Sequence, residues 1–383
     1  MLNKILIVIP SFKNGGTNSA LRSFLPILKT KIPNIDIFAI TAQGPNKDYF
    51  SRYANILGVD GNATITNKKS LKQKIALIVK DIKKILQRIG VDISSIIFKN
   101  VAQKLEKNNY DLIIAFQEGI TTHFASYFNQ TKKIAWVHCD YKRYLSVSNS
   151  SPEINRYKSF SKVICVSKYT MEQFNDCLPM INSTYLHNII LGANIIEKSL
   201  GECIDRFNTN RFTILSLGRL DPVKRFEKIP HIIDELKKRN VTNFIWYILG
   251  GGSENQKRKI EEEISKYNTP ELVLLGETDN PYPYISKADL MVVTSISEAC
   301  PYVINEAKIL HIPIVTTDFG SVYEFIEDGV NGLISPIETI SKKIESMILD
   351  KELYSRIKTN ISTFEYDNNL IIDKLFNEIL ELR

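Results

Sequence analysis

The stretch Phe212-Thr213-Ile214-Leu215-Ser216-Leu217-Gly218-Arg219 places a glycine directly after a short run of β-favouring residues. Such a run, followed by a turn and then a helical pattern, is typical of a buried parallel strand that opens an α/β domain. The start of the chain has the same order, because the apolar run Lys4–Ile9 precedes a turn that contains Gly15 and Gly16. Each stretch therefore predicts the first strand of its own open sheet.

Further short apolar runs follow both openings, with longer helical patterns between them. In the first half, the predicted strands are Lys4–Ile9, Asp36–Thr41, Leu112–Phe116, Lys133–Val137 and Lys162–Val166. In the second half, they are Phe212–Leu217, Phe244–Leu249, Leu272–Leu275, Leu290–Thr294 and Ile314–Thr317. Strands that alternate with helices form parallel sheets. The sequence thus predicts two doubly wound, Rossmann-like α/β domains that bind ligands outside the carboxyl ends of their strands.

The length of 383 residues agrees with two domains, because single hydrophobic cores stop growing well below that size. The predicted boundary lies between about Asn188 and Arg211, where glycines and polar residues interrupt the periodicity. We place the first domain at 1–190 and the second at 191–365. The end of the chain, about 366–383, has leucine and isoleucine at helical spacing and predicts a helix. This helix is free to pack on either domain, including back on the first.

Composition narrows the class of protein. The five cysteines are an odd number without a C-x-x-C pair, which favours free thiols over a disulfide framework or a zinc site. The apolar run in Met1–Ile9 is too short for a signal peptide, and no apolar stretch reaches the ~18 residues that span a bilayer. We therefore expect a cytoplasmic protein that is at most peripheral to a membrane. The formal net charge of +7 is modest and fits several acidic partners.

Much of the positive charge falls in Lys68–Lys107, where a Lys/Arg face accompanies an apolar face at helical spacing. One interpretation is an amphipathic helical segment packed on its own domain with a solvated basic face. The other is a surface segment that meets anionic lipid headgroups. The two are compatible if only the lysines touch lipid.

The most informative motif is Ser297-Glu298-Ala299-Cys300-Pro301-Tyr302-Val303-Ile304-Asn305-Glu306-Ala307, after the predicted strand Leu290–Thr294. Pro301 suits the first turn of a helix, which puts Glu298 in the preceding loop and Glu306 inside the helix. A carboxylate inside the helix can accept two hydrogen bonds from a ribose diol, and one in the loop can contact sugar hydroxyls. The alternative is that Glu298 and Glu306 are ordinary exposed acids without a role in binding.

The start of the same helix is a candidate site for an anion. The amides of Tyr302 and Val303 lack intrahelical partners at this position and would lie near the strand ends, where a diphosphate is well stabilised. The preceding strand, Pro301 and the predicted helix start all place this motif at the ligand-binding edge of the sheet. We therefore favour a binding site over the alternative that the two glutamates are unrelated.

A second motif, Gly218-Arg219-Leu220-Asp221-Pro222-Val223-Lys224-Arg225, follows the first strand of the second domain. Gly218 allows a close turn, and Arg219 and Lys224 are suited to bind a diphosphate and to stabilise its charge as it leaves. The alternative is a solvated basic loop. Gly250, the first of three glycines after the next strand, permits close approach of a ligand.

In the first half, Asn14-Gly15-Gly16-Thr17 follows the opening strand but is not G-x-G-x-x-G, which disfavours a dinucleotide site. The amide of Gly16 is still placed to meet phosphate or sugar. His138 follows the strand Lys133–Val137 and is a candidate partner for a sugar hydroxyl. Glu118 follows the preceding strand and fits either an acceptor-side or a structural role.

These residues resemble family-4 retaining glycosyltransferases of the GT-B fold, in which two Rossmann-like domains face each other across a cleft. The resemblance is carried by Gly218-Arg219 with Lys224 and by Glu298 and Glu306 in an E-x7-E pattern. Further matching pieces are Gly15-Gly16, His138, Val166-Ser167-Lys168 and Ala288–Ser295. The chain is most similar in this respect to enzymes that build bacterial capsule, exopolysaccharide or lipopolysaccharide.

The resemblance implies a role for each matching residue. Arg219 and Lys224 would hold the donor diphosphate, Glu306 the ribose and Glu298 the transferred sugar. His138 would hydrogen-bond the sugar near the reacting carbon, and the Gly16 backbone would approach the phosphates. The family usually has glycine after the first glutamate, whereas this chain has Ala299-Cys300.

The resemblance also implies the substrates. The donor would be a nucleoside diphosphate sugar, UDP-linked in the similar polysaccharide enzymes, and the acceptor a glycan or lipid-linked glycan. Transfer would retain the anomeric configuration and need no metal or other cofactor, which agrees with the lack of a D-x-D motif.

Three alternatives stay open at this point. A phosphorylase or epimerase of the same fold lacks support, because no signature of a pyridoxal phosphate lysine is present. A nucleic-acid-binding module would use the basic helices, but stacking aromatics are not interleaved with the lysines, so we expect no nucleic-acid partner. A non-catalytic GT-B partner subunit is disfavoured by the intact Arg219, Lys224, Glu298 and Glu306.

Overall fold

The apolar runs predicted as strands form the buried layers of two parallel sheets. A computed structural model of the protein describes residues 2–58, 93–203, 207 and 210–381. The chain divides into two units, one made of Met1–Ile189 with Asn369–Arg383 and the other of Ile190–Asn368. Each unit contains one of the sheets, which confirms the predicted α/β class.

The sheet of the first unit contains seven parallel strands among the described residues, in the order β3-β2-β1-β4-β5-β6-β7. These strands are β1 Lys4–Ser11, β2 Asn34–Thr41, β3 Asn55–Leu57, β4 Leu112–Ala115, β5 Lys133–Val137, β6 Lys162–Cys165 and β7 Ser183–Tyr185. The helices of this part are α1 Gly16–Lys29, α2 Lys47–Phe50, α3 Ile93–Glu106, α4 Ile120–Ala125, α5 Tyr141–Ser148, α6 Ile154–Tyr157 and α7 Lys168–Cys177.

The second unit repeats this arrangement with six parallel strands in its described part, in the order β10-β9-β8-β11-β12-β13. The strands are β8 Phe212–Leu217, β9 Phe244–Leu249, β10 Leu272–Gly276, β11 Leu290–Val293, β12 Ile314–Thr317 and β13 Leu333–Ser335. The α-helices are α8 Gly192–Ser199, α9 Ile229–Lys238, α10 Glu254–Tyr267, α11 Tyr282–Ser286, α12 Tyr302–Ile309, α13 Ile340–Leu349 and α14 Lys351–Ser362.

The end of the chain is helical but not as one regular helix. The α-helix α15, Asn368–Lys374, continues as a π-helical turn over Leu375–Ile379. Within the first unit, Lys162 Nζ donates to the Glu378 carbonyl at 2.8 Å, and Lys374 Nζ lies 4.1 Å from the centre of the Tyr185 ring. These contacts hold the last described turns against the strands β6 and β7.

An aspartate connects the central pair of strands in each unit. Asp111, just before β4, accepts the amide of Lys4 at the start of β1 at 2.8 Å. Asp289, just before β11, accepts the amide of Thr213 in β8 at 2.7 Å. Both aspartates also donate their own amide to the opposite strand. The same pair of hydrogen bonds thus aligns β1 with β4 and β8 with β11, the neighbouring strands between which the strand order of each sheet reverses.

Three strands were not predicted: β3, β7 and β13. Each has three residues and lies at an edge of its sheet. A run of three residues is too short to show the period of two that marks a strand, so pairing with a neighbour decides its conformation. None of the helices in the described ranges is long and apolar enough to span a bilayer.

Candidate active site

The strand order of the second unit reverses between β8 and β11, which lie side by side. In open parallel sheets, ligands bind at this point, outside the carboxyl ends of the strands. The loops that leave these two strands contain Gly218–Arg225 and Ser295–Pro301. The two most informative motifs of the sequence therefore emerge at the same place in the unit.

Two glycine turns pack directly against each other at this edge. Gly218 and Gly250 have φ of +151° and +153°, and a Cβ on Gly250 would lie 1.9 Å from the Gly218 carbonyl oxygen. The amide of Gly218 donates to Leu249 at 3.1 Å, and that of Gly250 donates to Gly276 at 2.8 Å. Glycine is required here both for the positive φ and for the close approach.

Lys224 and Glu298 form an ion pair beside these turns. Lys224 Nζ lies 2.5 Å from Glu298 Oε1, and both side chains are 17% exposed. Ser295 Oγ donates to the same carboxylate oxygen at 2.6 Å, while Ser321 Oγ donates to the Glu298 carbonyl at 2.7 Å. Thr294 Oγ1 donates to the Lys224 carbonyl at 2.5 Å. The charged side chains and both loops are thus held in one network.

The helix α12 begins immediately after this network. Pro301 is the residue immediately before the helix, and no side chain caps the helix. The amides of the first turn, including those of Tyr302 and Val303, therefore keep their capacity to bind an anion. Ala299, at the position where the resembling family usually has glycine, is partly buried, and Cys300 is buried.

Glu306 lies on α12 and is partly buried. Burial raises the pKa of its carboxyl to about 7, and a hydrogen bond from the Tyr282 hydroxyl to Oε1 at 3.3 Å opposes this rise. Tyr282 is the first residue of α11 and carried no signal in the sequence.

Arg219 differs from the other candidates of this unit. Its side chain is 70% exposed, and its Nη2 lies 3.8 Å from Asp221 Oδ2. The structure therefore brings Gly218, Gly250, Lys224 and Glu298 together, while the guanidinium of Arg219 extends into solvent beside them.

In the first unit, His138 and Glu118 lie next to each other. Glu118 is 8% exposed, and its Oε2 accepts a hydrogen bond from the His138 amide at 2.8 Å. Burial raises the pKa of Glu118 and lowers that of His138 to about 3, so the imidazole is neutral at physiological pH. His138 Nε2 is buried and makes no hydrogen bond to the described residues.

Gly16 is the first residue of α1, and a Cβ at this position would meet no atom within 4 Å. No side chain caps this helix either. Residues 68–92 of the candidate basic segment Lys68–Lys107 lie outside the described residues. The rest of the segment includes α3.

Among the residues that the structure describes, no cluster of three or more metal-ligating side chains occurs.

Comparison with known proteins identifies the class. Residues 204–363 match the family model "Glycosyl transferases group 1". The N-acetylgalactosamine-N,N'-diacetylbacillosaminyl-diphospho-undecaprenol 4-alpha-N-acetylgalactosaminyltransferase of Campylobacter jejuni is 23% identical, with 94% of each chain covered. An uncharacterized 41.2 kDa protein in the cps region of Klebsiella pneumoniae is 23% identical over 69% of this chain and 76% of its own length.

Among solved structures, Anabaena Alr3699/HepE in complex with UDP and glucose matches all of both chains with a TM-score of 0.71 and 18% identity. This likeness confirms the fold as GT-B. The protein is therefore a glycosyltransferase, and its second unit contains a glycosyl transferases group 1 domain.

The contact between the glycine turns generates a first prediction. Gly250→Ala forces the Gly218 turn to move, so we expect the free energy of unfolding to fall by about 3 kcal/mol, at the upper end of overpacking costs. Denaturant unfolding measures this change. Gly192→Ala is the matched control, because a Cβ there makes ordinary contacts at 3.9 Å with Ile309. Equal stability of both variants would contradict the close approach.

Proposed function

We propose that this glycosyltransferase transfers a sugar from a nucleoside diphosphate donor, UDP-linked, to a glycan or lipid-linked glycan acceptor. The transfer retains the anomeric configuration, requires no metal, and serves the synthesis of a bacterial surface polysaccharide. The observation that carries the proposal is the joint placement of the Lys224–Glu298 pair and the uncapped start of α12 at the switch point of the second sheet.

The donor diphosphate fits this place by charge and by hydrogen bonding. Its negative charge is opposed by Lys224, by the exposed Arg219 and by the first-turn amides of α12. Glu298 keeps Lys224 in position in the absence of donor, because the ion pair and the Ser295 hydroxyl restrain its carboxylate. When the donor binds, Lys224 turns its ammonium toward phosphate, and Glu298 accepts hydrogen bonds from the sugar.

Reaction on one face of the sugar accounts for retention. The bond between the anomeric carbon and the diphosphate oxygen breaks, and negative charge develops on that oxygen. The acceptor hydroxyl forms the new bond on the same face, and its proton passes to the departing phosphate oxygen. Cationic and amide donors that are already in place stabilise the developing charge without reorganisation. These groups take the role that a divalent cation has in metal-dependent transferases.

The first unit supplies the groups proposed for the sugar and the acceptor. The neutral imidazole of His138 carries a buried ring nitrogen that is suited to a hydroxyl or ring oxygen of the transferred sugar. Glu118 holds the backbone of His138 and is the proposed acceptor-side carboxylate. The amide of Gly16, at the uncapped start of α1, is the proposed contact of this unit with phosphate.

The relatives support the substrate classes. The Anabaena structure contains UDP and glucose, which favours uracil as the donor base. The Campylobacter relative acts on a diphospho-undecaprenol glycan, and further relatives are named for O-antigen and lipopolysaccharide core biosynthesis. A lipid-linked acceptor requires the enzyme to work at a membrane surface.

The helix α3 offers a surface for that purpose. Ile96 and Ile97 are 52% and 47% exposed, and Lys99 and Lys104 of the same helix are exposed as well. Apolar and cationic side chains that are exposed together suit the headgroup region of an anionic leaflet. We therefore propose peripheral contact with the inner face of the cell membrane.

Donor binding is tested by thermal shift with UDP, GDP, ADP, NAD and S-adenosylmethionine in EDTA. At a hundred times its dissociation constant, UDP adds about 2.7 kcal/mol, and we expect the midpoint to rise by about 5 °C. Glu306→Ala removes most of the rise, whereas Glu338→Ala, an exposed acid of the same unit, keeps it. A shift with NAD alone, or with UDP only after addition of metal, would refute the proposal.

The role of Lys224 is tested by turnover. Lys224→Ala should lower kcat by about 10²- to 10³-fold, because the charge on the leaving diphosphate loses a preorganised cation. Release of UDP measures turnover, and NMR of the product gives the anomeric configuration. Lys266→Ala, on the exposed face of α10, is the control. Unchanged turnover in Lys224→Ala would show that the leaving group lies elsewhere, and an inverted product would exclude the one-face mechanism.

Membrane contact is tested by sedimentation with vesicles that contain anionic phospholipid. Replacing Lys99 and Lys104 together by glutamate should reduce binding at low salt by about tenfold or more, since each cation contributes about 1 kcal/mol near the surface. The same reversal at Lys257 and Lys266 of α10 serves as the control. If the two double variants bind equally, α3 presents only a solvated face.

A further inference from the structure

A tyrosine outside both sequence motifs contacts the carboxylate proposed to bind the ribose. The hydroxyl of Tyr282, at the start of α11, donates to Glu306 Oε1 on α12 at 3.3 Å. We propose that Tyr282 is a positioning residue of the nucleotide site, which holds one carboxylate oxygen of Glu306 and leaves Oε2 for the ribose diol. The inference rests on the proposed function, in which Glu306 binds the ribose.

The packing around this contact fixes both partners. Tyr282 belongs to a small apolar cluster of the second unit, together with Ile190, Ile195, Tyr302, Ile309, Leu310, Phe364 and Tyr366. The helices α11 and α12 both pack on α8 and on each other. Prolines at positions 281 and 283 flank Tyr282 and restrict its backbone. The hydroxyl therefore meets the carboxylate from a rigid support.

No cation pairs with Glu306 among the described residues. The titratable groups that face this cluster are the hydroxyls of Tyr282, Tyr302 and Tyr366 and the thiol of Cys300. The hydroxyl of Tyr302 is buried and has no partner in the described part of the chain.

The charged residues nearest along the packed helices are directed elsewhere. Lys308, two residues after Glu306, donates to the Phe325 carbonyl at 2.9 Å and lies 3.9 Å from the centre of the Phe364 ring. On α8, Glu197 and Lys198 are exposed to solvent. Within the part of the chain that the structure describes, the side chain that stabilises the ionised form of Glu306 is therefore Tyr282, through its hydroxyl.

This arrangement couples donor binding to a proton. Burial raises the pKa of Glu306 to about 7, so the carboxyl of the free protein holds its proton below that pH. A ribose diol donates two hydrogen bonds, which only the carboxylate accepts fully. Affinity for the donor therefore rises as the pH increases through 7. Loss of the Tyr282 hydrogen bond raises the pKa of Glu306 further, which moves the rise to higher pH.

The experiment is isothermal titration calorimetry with UDP-glucose between pH 5.5 and 8.5, or with GDP-mannose if guanine is the base selected. Both donors carry a diphosphate diester whose charge is constant in this range. For the wild-type protein we expect about tenfold tighter binding at pH 8 than at pH 6, with release of one proton at low pH. Glu306→Gln binds with an affinity that does not depend on pH, because its amide does not titrate.

Tyr282→Phe separates positioning from packing. It keeps the ring in the apolar cluster and removes only the hydroxyl, so we expect its affinity profile to move to higher pH and its affinity at pH 7 to fall by about fivefold or more. A purely structural loss would lower affinity equally at every pH. Tyr323→Phe, at a tyrosine that is 66% exposed, is the matched control and keeps the wild-type profile.

The outcomes distinguish failure of the proposed function from failure of the inference about Tyr282 alone. Wild-type protein that binds neither donor contradicts the proposed function and this inference together. Wild-type binding without pH dependence overturns the inference alone. A Tyr282→Phe profile that coincides with the wild-type profile, or that is lowered in parallel at every pH, also overturns it.

Discussion

The close contact between the backbone turns at Gly218 and Gly250 is the constraint on which the candidate active site depends. The turns leave neighbouring strands, β8 and β9, and they can touch because Gly250 has no Cβ. The first turn then leads directly into the segment that carries Lys224, whose side chain meets Glu298 after β11. Lys224 and Glu298, 74 positions apart in the chain, thus meet because β8 and β11 are neighbours in the sheet.

The partly buried charges of the second unit suit the anionic donor that we propose for it. Lys224 is neutralised by Glu298, and this pair lies beside the uncapped start of α12. Glu306, further along the same helix, has a tyrosine hydroxyl instead of a cation as its described partner. In the first unit, burial keeps the imidazole of His138 neutral. A neutral histidine and a carboxylate without a cation are suited to hydroxyl groups, whereas the lysine and the helix start are suited to phosphate.

Much of the fold follows from local sequence. The predicted bounds of β5, β8, β9 and β12 agree with the structure, and the other predicted strands differ by one to two residues at an end. Except for β10, which lies at an edge but has five residues, these strands lie in the middle of a sheet, so their apolar runs are long. The edge strands β3, β7 and β13 were not predicted, because three residues are too few to show the alternation of apolar and polar residues that marks a strand. The helix at the chain end was predicted, but its change to a π-helical turn has no local signature.

The candidate site divides in the same way. Sequence alone determined the α/β class, the glycine-bearing turns, and the placement of Glu298 in a loop and Glu306 in a helix, because these depend on nearest neighbours along the chain. Only the tertiary structure decided that Lys224 pairs with Glu298 while Arg219 stays exposed, and that Tyr282 reaches Glu306. These contacts join residues 24 or 74 positions apart. Their formation depends on strand order and helix packing, which no local spacing encodes.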